Sequence, residues 1–262
     1  MSSQLLFALL LFFLPSNLAF HFTTSSALVQ GTLVDYLIPK LYLTDLFIIA
    51  ILLLARRHLI KFNWPLVIFF IITFITSLLS RNPIAAVWFW LKLVEMTLFI
   101  SWLHSYPRPA LYKLITKPLI LAIIWQSILA LAQWFKQSSI IGYWVLGEPI
   151  FTVATPGIAK ANFFGALKLL PYGTTPHPNV LAGFLAFSIV IIWPSLAVLP
   201  GLITLFLTQS FSALAALLVP ILRHSKLLVI IFAISLITTG YTLDPSSFSR
   251  RHQLNLAAIS MW

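Results

Sequence analysis

Pro171-Tyr-Gly-Thr-Thr-Pro-His-Pro-Asn179 runs without a break into Val180-Leu-Ala-Gly-Phe-Leu-Ala-Phe-Ser-Ile-Val-Ile-Ile-Trp193. The second half is apolar on every face, which suits a helix surrounded by lipid rather than one laid on a soluble core. The first half is polar and stiff. Prolines fix φ and exclude the α conformation from the residue before them, so His177, between Pro176 and Pro178, is held in an extended or turn conformation. Asn179 reads as the N-cap of the helix that follows. A rigid polar loop is thus delivered onto the end of a membrane helix, the end that carries positive partial charge.

The rest of the chain has the same character. Of 262 residues, 60% are hydrophobic and 8% charged, with a mean hydropathy of +1.01. Too little polar surface exists to cover a soluble core. The formal net charge of +11 could suggest a nucleic-acid partner, but the basic residues fall in short clusters between apolar runs, a topological placement that excludes nucleic acid. There is no cysteine, hence no disulfide framework or thiolate metal site. The six histidines show no metal-ligand spacing, and no cofactor is expected. The fold class expected is all-α, a polytopic transmembrane helical bundle of about nine spans.

Apolar runs and basic clusters set the expected topology. Residues 4–20 form a first span, in preference to a cleaved signal ending near Leu18-Ala19. Residues 21–40 make an outer loop, and 41–55 a second span closing on the cytoplasmic cluster Arg56-Arg57-His58-Leu59-Ile60-Lys61. Residues 65–79 cross outward, Ser80-Arg81-Asn82-Pro83 turns, and 84–103 return. Residues 104–117, with Arg108, Lys113 and Lys117, form a cytoplasmic connection, and 118–134 a fifth span. The long segment 135–178 combines turn formers with aromatic residues, which marks an ordered, partly buried outer loop rather than a linker. After the sixth span, 199–222 is interrupted at Thr208-Gln-Ser-Phe-Ser212. A pair of short helices meeting near Gln209 keeps Arg223-His224-Ser225-Lys226 inside, as the positive-inside bias favours. Residues 227–242 then cross outward. Four regions result: a five-span region 1–134, the outer loop 135–178, the later spans with the short helix pair 179–242, and the start of a further outer loop 243–262.

Lys92 and Glu95 stand three residues apart within the fourth span, on one helical face where their side chains can meet. Each charge alone would cost roughly 2.5–3.5 kcal/mol at the bilayer centre. An intramembrane ionisable pair marks a functional site, and a pair that merely holds helices together accounts for it equally well.

Three stretches together resemble the bacterial O-antigen ligase and O-antigen polymerase superfamily, integral membrane enzymes that handle sugars linked to a polyprenyl diphosphate carrier. Gly173-Thr-Thr-Pro-His-Pro-Asn-Val-Leu-Ala-Gly-Phe184 looks like the start of that family's middle transmembrane helix, and Leu207-Thr-Gln-Ser-Phe-Ser-Ala-Leu-Ala-Ala-Leu217 like its short-helix break. The run 246–261, with Ser249-Arg-Arg-His-Gln-Leu-Asn255, looks like the entry to its large outer loop. The first 134 residues resemble the family in hydropathy and length only. The arginine usual in the short-helix break is replaced here by Phe211. The family's loop histidine lies beyond Trp262, so the resemblance implies a C-terminally truncated member.

The resemblance implies metal-independent transfer of a glycan from its polyprenyl diphosphate carrier to an acceptor lipid, protein or growing glycan. The setting would be the lipid bilayer of the cytoplasmic membrane, with the active face outward. Arg251, with Arg250 as its neighbour, matches the family's loop-entry arginine. Guanidinium forks fit phosphate oxygens bidentately, and the helix end at Asn179 would add N–H donors. Lys160, His177 and Asn179 are the candidate substrate contacts, and Glu148 and His177 the titratable candidates for a base. Each has a plainer reading: Glu148 as a turn residue, Lys160 as a solvated or headgroup contact, His177 as a hydrogen-bonded loop residue, Arg251 as a membrane anchor. A transporter or lipid-binding module using Lys92, Glu95 and the broken helix is the alternative from another class, and an inactive fragment is the third.

Overall fold

The computed structural model describes residues 2–54, 64–163 and 165–224, together with the single positions 253 and 256. The basic cluster at 56–61, the expected span 227–242, and Arg250 and Arg251 lie outside the described residues. The chain is predominantly helical and divides into two compact units, Met1–Ala122 and Ile123–Trp262.

The first unit begins with α1 (Ser3–Phe13). It is shorter than the span expected over 4–20: the chain leaves the helix at Leu14-Pro15 and enters a strand, β1 (Ala19–His21), which pairs antiparallel with β4 (Lys40–Tyr42). Between them lie two short strands, β2 (Leu28–Val29) and β3 (Thr32–Leu33). The expected loop 21–40 is therefore an ordered cap, and it delivers the chain into α2 (Leu43–Leu54). Leu6, Phe7 and Leu10 of α1 pack with Ile48 and Ile51 of α2 around Trp102. The Phe7 and Trp102 rings meet edge-on at 5.3 Å.

α3 (Trp64–Leu78) pairs with α4 (Pro83–His104). The Trp90 indole N–H donates to the Phe70 carbonyl at 3.1 Å. Phe70 is the one buried residue of α3; Ile68, Ile71, Ile72 and Ile75 turn outward, an apolar exterior that calls for lipid or another protein. Asn82 caps α4, its Oδ1 accepting the Ala85 N–H, while its Nδ2 donates to the Ser26 carbonyl at 2.8 Å. The turn read at 80–83 is thus also a clamp on the cap.

α5 (Arg108–Lys136) contains Pro118 in its interior. The expected boundary at Pro118 is corrected: a proline inside a long helix forfeits one backbone bond, and the helix continues through it, so residues 108–117 are helical and the connection shrinks to 105–107. α4 and α5 are the two described helices long and apolar enough to cross a membrane; α1, α2, α3, α7 and α8 are apolar but shorter.

The second unit holds the end of α5, the short α6 (Tyr143–Leu146), the hairpin β5 (Lys160–Phe163) with β6 (Ala166–Leu169), then α7 (Pro178–Ile192), α8 (Val198–Leu207) and α9 (Phe211–His224). α8 and α9 both pack on α7. The break expected in 199–222 falls at 208–210, where Gln209 takes φ 54° and the Thr208 hydroxyl donates to the Leu205 carbonyl at 2.6 Å, closing α8 from its own side chain.

Candidate functional site

Two polar assemblies stand out among the described residues, one in each unit. In the first, the Lys92 ammonium contacts Glu95 at 3.2 Å, as the spacing on α4 predicts, and also forms a closer ion pair with Asp45 in the first turn of α2. Asp45 is buried and accepts the Tyr42 backbone N–H at 2.6 Å. The Lys92 ammonium lies 5.4 Å from the centre of the Trp88 ring, within range of its negative face. Two carboxylates therefore share one ammonium, and Glu95 Oε1 is buried without a hydrogen-bond partner. Asp45 escaped the sequence reading although a signal existed: it is the one charged residue in the apolar run 41–55, and Lys92 is a cation within the apolar run 84–103.

The second assembly is built on one face of α5. Gln126 and Gln133 are seven residues apart, two helical turns, and both are fully buried. Gln133 uses its whole amide: Oε1 accepts the N–H groups of Tyr172 (2.9 Å) and Gly173 (2.8 Å), and Nε2 donates to the Gly173 carbonyl (2.8 Å) and to Glu148 Oε1 (2.7 Å). Gln126 donates to the Thr174 hydroxyl at 2.6 Å and accepts the Thr174 N–H at 3.1 Å. One step beyond the helix end, Gln137 Oε1 accepts the Leu169 N–H. Gly173 makes the approach possible, since it has φ +57° and a Cβ there would stand 2.2 Å from Gln126 Oε1. These amides missed by the sequence reading are what seat the 169–175 segment on α5.

Glu148 is wholly buried, and its carboxylate accepts three consecutive backbone N–H groups, from Ile140 (2.7 Å), Ile141 (2.5 Å) and Gly142 (2.7 Å), besides Gln133. Such a nest of amides matches a fixed carboxylate. Both oxygens are occupied in closing the 140–148 loop, so this geometry favours the turn reading over a general base. Lys160 donates to the Val153 carbonyl at 2.6 Å, a clamp across the loop.

His177, and not Asn179, is the N-cap of α7. Its Nδ1 accepts the Asn179 N–H at 3.1 Å, and Pro178 occupies the first helical position. The correction has a consequence for anion binding. Pro178 has no N–H, and the Asn179 N–H is taken, so the first donors expected at this helix end are spent. A neutral imidazole whose Nδ1 accepts carries its proton on Nε2, so His177 offers its surroundings an N–H donor rather than a base. The Thr175 hydroxyl bridges the Tyr172 and His177 carbonyls at 2.8 and 2.9 Å, and the Tyr172 ring lies 6.1 Å from the imidazole.

Partial desolvation of the imidazole at the loop surface disfavours the imidazolium and lowers the His177 pKa from 6.5. A cap available only to the neutral ring stabilises the loop fully above pH 6.5 and is lost as pH falls through the depressed folded value. Hydrogen exchange of the 172–181 segment, corrected for intrinsic rate, is expected to speed up as pH falls through that window. H177N, whose side chain caps at every pH, removes the dependence.

Among the described residues no group of three His, Cys, Asp or Glu side chains is placed to share a metal ion. No family model, curated protein or solved structure matches the chain.

Proposed function

We propose that this protein is a multi-pass enzyme of the O-antigen ligase and polymerase type, acting at the outer face of the cytoplasmic membrane on a glycan carried by polyprenyl diphosphate. The observation that carries the reading is the ordered 137–177 loop, fastened to α5 by Gln126 and Gln133 and handed through His177 and Pro178 to α7, with the α8–α9 break following. A rigid loop that carries both lysines and exposed apolar side chains at the mouth of apolar helices suits a substrate whose headgroup is polar and whose tail is lipid. Here the shorter helices are further membrane elements of a bundle of about nine spans.

In this reading the bond between the anomeric carbon and the diphosphate oxygen breaks, the acceptor hydroxyl oxygen bonds to that carbon, its proton passes to solvent water, and the diphosphate departs on the carrier. Arg251 and Arg250 bind the leaving diphosphate, and His177 Nε2–H donates to an anionic oxygen. Asn179, exposed at the second helical position, is the remaining contact at the loop edge.

The triad of Asp45, Lys92 and Glu95 favours a second reading, a transporter or lipid-binding module, because buried unbalanced charge marks ion or substrate pathways in membranes. One comparison separates the two. Arg251→Ala in the full-length protein is expected to abolish glycan attachment or chain growth at unchanged protein level, whereas paired replacement of Lys92 and Glu95 by alanine leaves only a folding defect. Unchanged glycan in the first variant overturns the ligase reading, and loss of vesicle uptake in the second establishes the transporter.

A further inference from the structure

The loop between α5 and α7 buries its one acid and leaves its lysines at least partly exposed. Glu148 is the only acidic residue in 135–177, and its carboxylate is buried among amides, while Lys136 is exposed and Lys160 and Lys168 are half-exposed on a segment with no exposed negative charge; the Lys136 and Lys160 ammoniums also donate to loop carbonyls. The same segment turns large apolar side chains outward: Phe135 is 80% exposed, Trp144 86%, Ile150 74% and Leu167 67%. These are not strays from a poor core, because their neighbours are buried beneath them: Phe151 and Leu169 pack with Tyr172.

The outward residues gather where α5 ends. Phe135 is in its last turn. Ile150 precedes Phe151, whose carbonyl accepts the Ser139 N–H at 3.0 Å, three residues past the helix. Leu167 is two residues from Leu169, which is tied to Gln137, and Phe163 of the same hairpin stacks edge-on against Trp134 at 4.4 Å. Aromatic and aliphatic side chains interspersed with lysine, and free of exposed acid, match the layer where acyl chains meet anionic headgroups.

We infer that the 135–169 loop docks on the headgroup layer of the membrane that α5 crosses, lying in the interface instead of standing out into water. The inference rests on α5 being a span, and the test keeps the two apart. The chain has no cysteine, so single-cysteine variants W144C, I150C and I128C can be spin-labelled without a background; Ile128 is an outward residue within α5.

In the full chain reconstituted into phosphatidylcholine–phosphatidylglycerol vesicles, all three labels are expected to show a severalfold higher ratio of oxygen to nickel-chelate accessibility than a water-exposed label, with 128 the deepest. Labels 144 and 150 reading as aqueous while 128 reads as buried overturns the docking and leaves the span intact. An aqueous reading at 128 overturns the span itself and the docking with it. Labels at 144 and 150 shielded from both reagents show a protein partner in place of lipid, which also overturns the proposal.

Discussion

Lys92→Met is expected to lower the resistance of the folded protein to denaturation by about 3–5 kcal/mol while leaving its amount in the membrane unchanged or higher. Two effects of opposite sign meet in this substitution. Removing a lysine from the middle of α4 relieves roughly 2.5–3 kcal/mol of insertion cost, so α4 enters the bilayer more readily. In the folded state, however, Lys92 is the cation that faces Asp45 and Glu95. Without it the buried Asp45 carboxylate and the half-buried Glu95 carboxylate confront each other across α2 and α4 with one oxygen, Glu95 Oε1, already unpartnered. Unfolding in a mixed-micelle denaturant series reads the folded-state loss, and membrane-fraction immunoblotting reads insertion. Neutralising the carboxylates as well, in the triple variant Lys92→Met, Asp45→Asn, Glu95→Gln, is expected to recover most of the stability, because a buried charge cluster replaced as a whole is often near neutral. If Lys92→Met alone changes nothing, the triad does not exist in the membrane.

Gln133→Leu is the second large effect. Leucine fills the space but strips four hydrogen bonds from the loop: the Tyr172 and Gly173 N–H groups, the Gly173 carbonyl and one donor to Glu148. Each buried polar group left unpaired costs about 1–3 kcal/mol. After local relaxation a loss of about 4 kcal/mol is expected. Trypsin cleavage at Lys160 and Lys168 in membranes reads it, since the loop must open to be cut. That loss raises the open population by about two to three orders of magnitude. The companion Gln137→Leu removes one acceptor, from Leu169, in a half-buried setting, and is expected to raise cleavage about fivefold, for a loss near 1 kcal/mol. Equal rates in the two variants would show that Gln133 is not the fastening point.

The paired helix break illustrates what was legible from the sequence. Gln209 and its hydroxyl neighbours stop an apolar run by local means: Thr208 bonds back to its own helix, and Gln209 adopts a positive φ before α9 restarts. Local chemistry also announced the order of the 135–178 loop, through its density of aromatic and turn residues. Helix ends were read less well. Pro15 and the β1–β4 pairing end α1 well before Phe20, and α5 runs through Pro118 because a long helix tolerates one missing bond. At α7 Asn179 is the commoner type of capping residue, but Pro178 at the first helical position places the cap at His177.

By itself, the sequence determined the helical class, the break before α9 and the stiffness of the loop leading to His177; of the about nine spans expected from it, two described helices, α4 and α5, have membrane-spanning length. All of these follow from hydropathy, proline and glycine, which act on a residue and its near neighbours. The tertiary structure alone decided that Lys92 answers to Asp45 as well as Glu95, that Gln126 and Gln133 fasten the 172–174 backbone, that Glu148 is enclosed by amides, and that His177 carries its proton on Nε2. Each of these is a pairing of polar groups, and the two that fix the loop join residues 40 to 48 apart in the chain. In a low-dielectric interior every such group must find a partner, so the sequence shows that partners are required, and packing determines which ones they are.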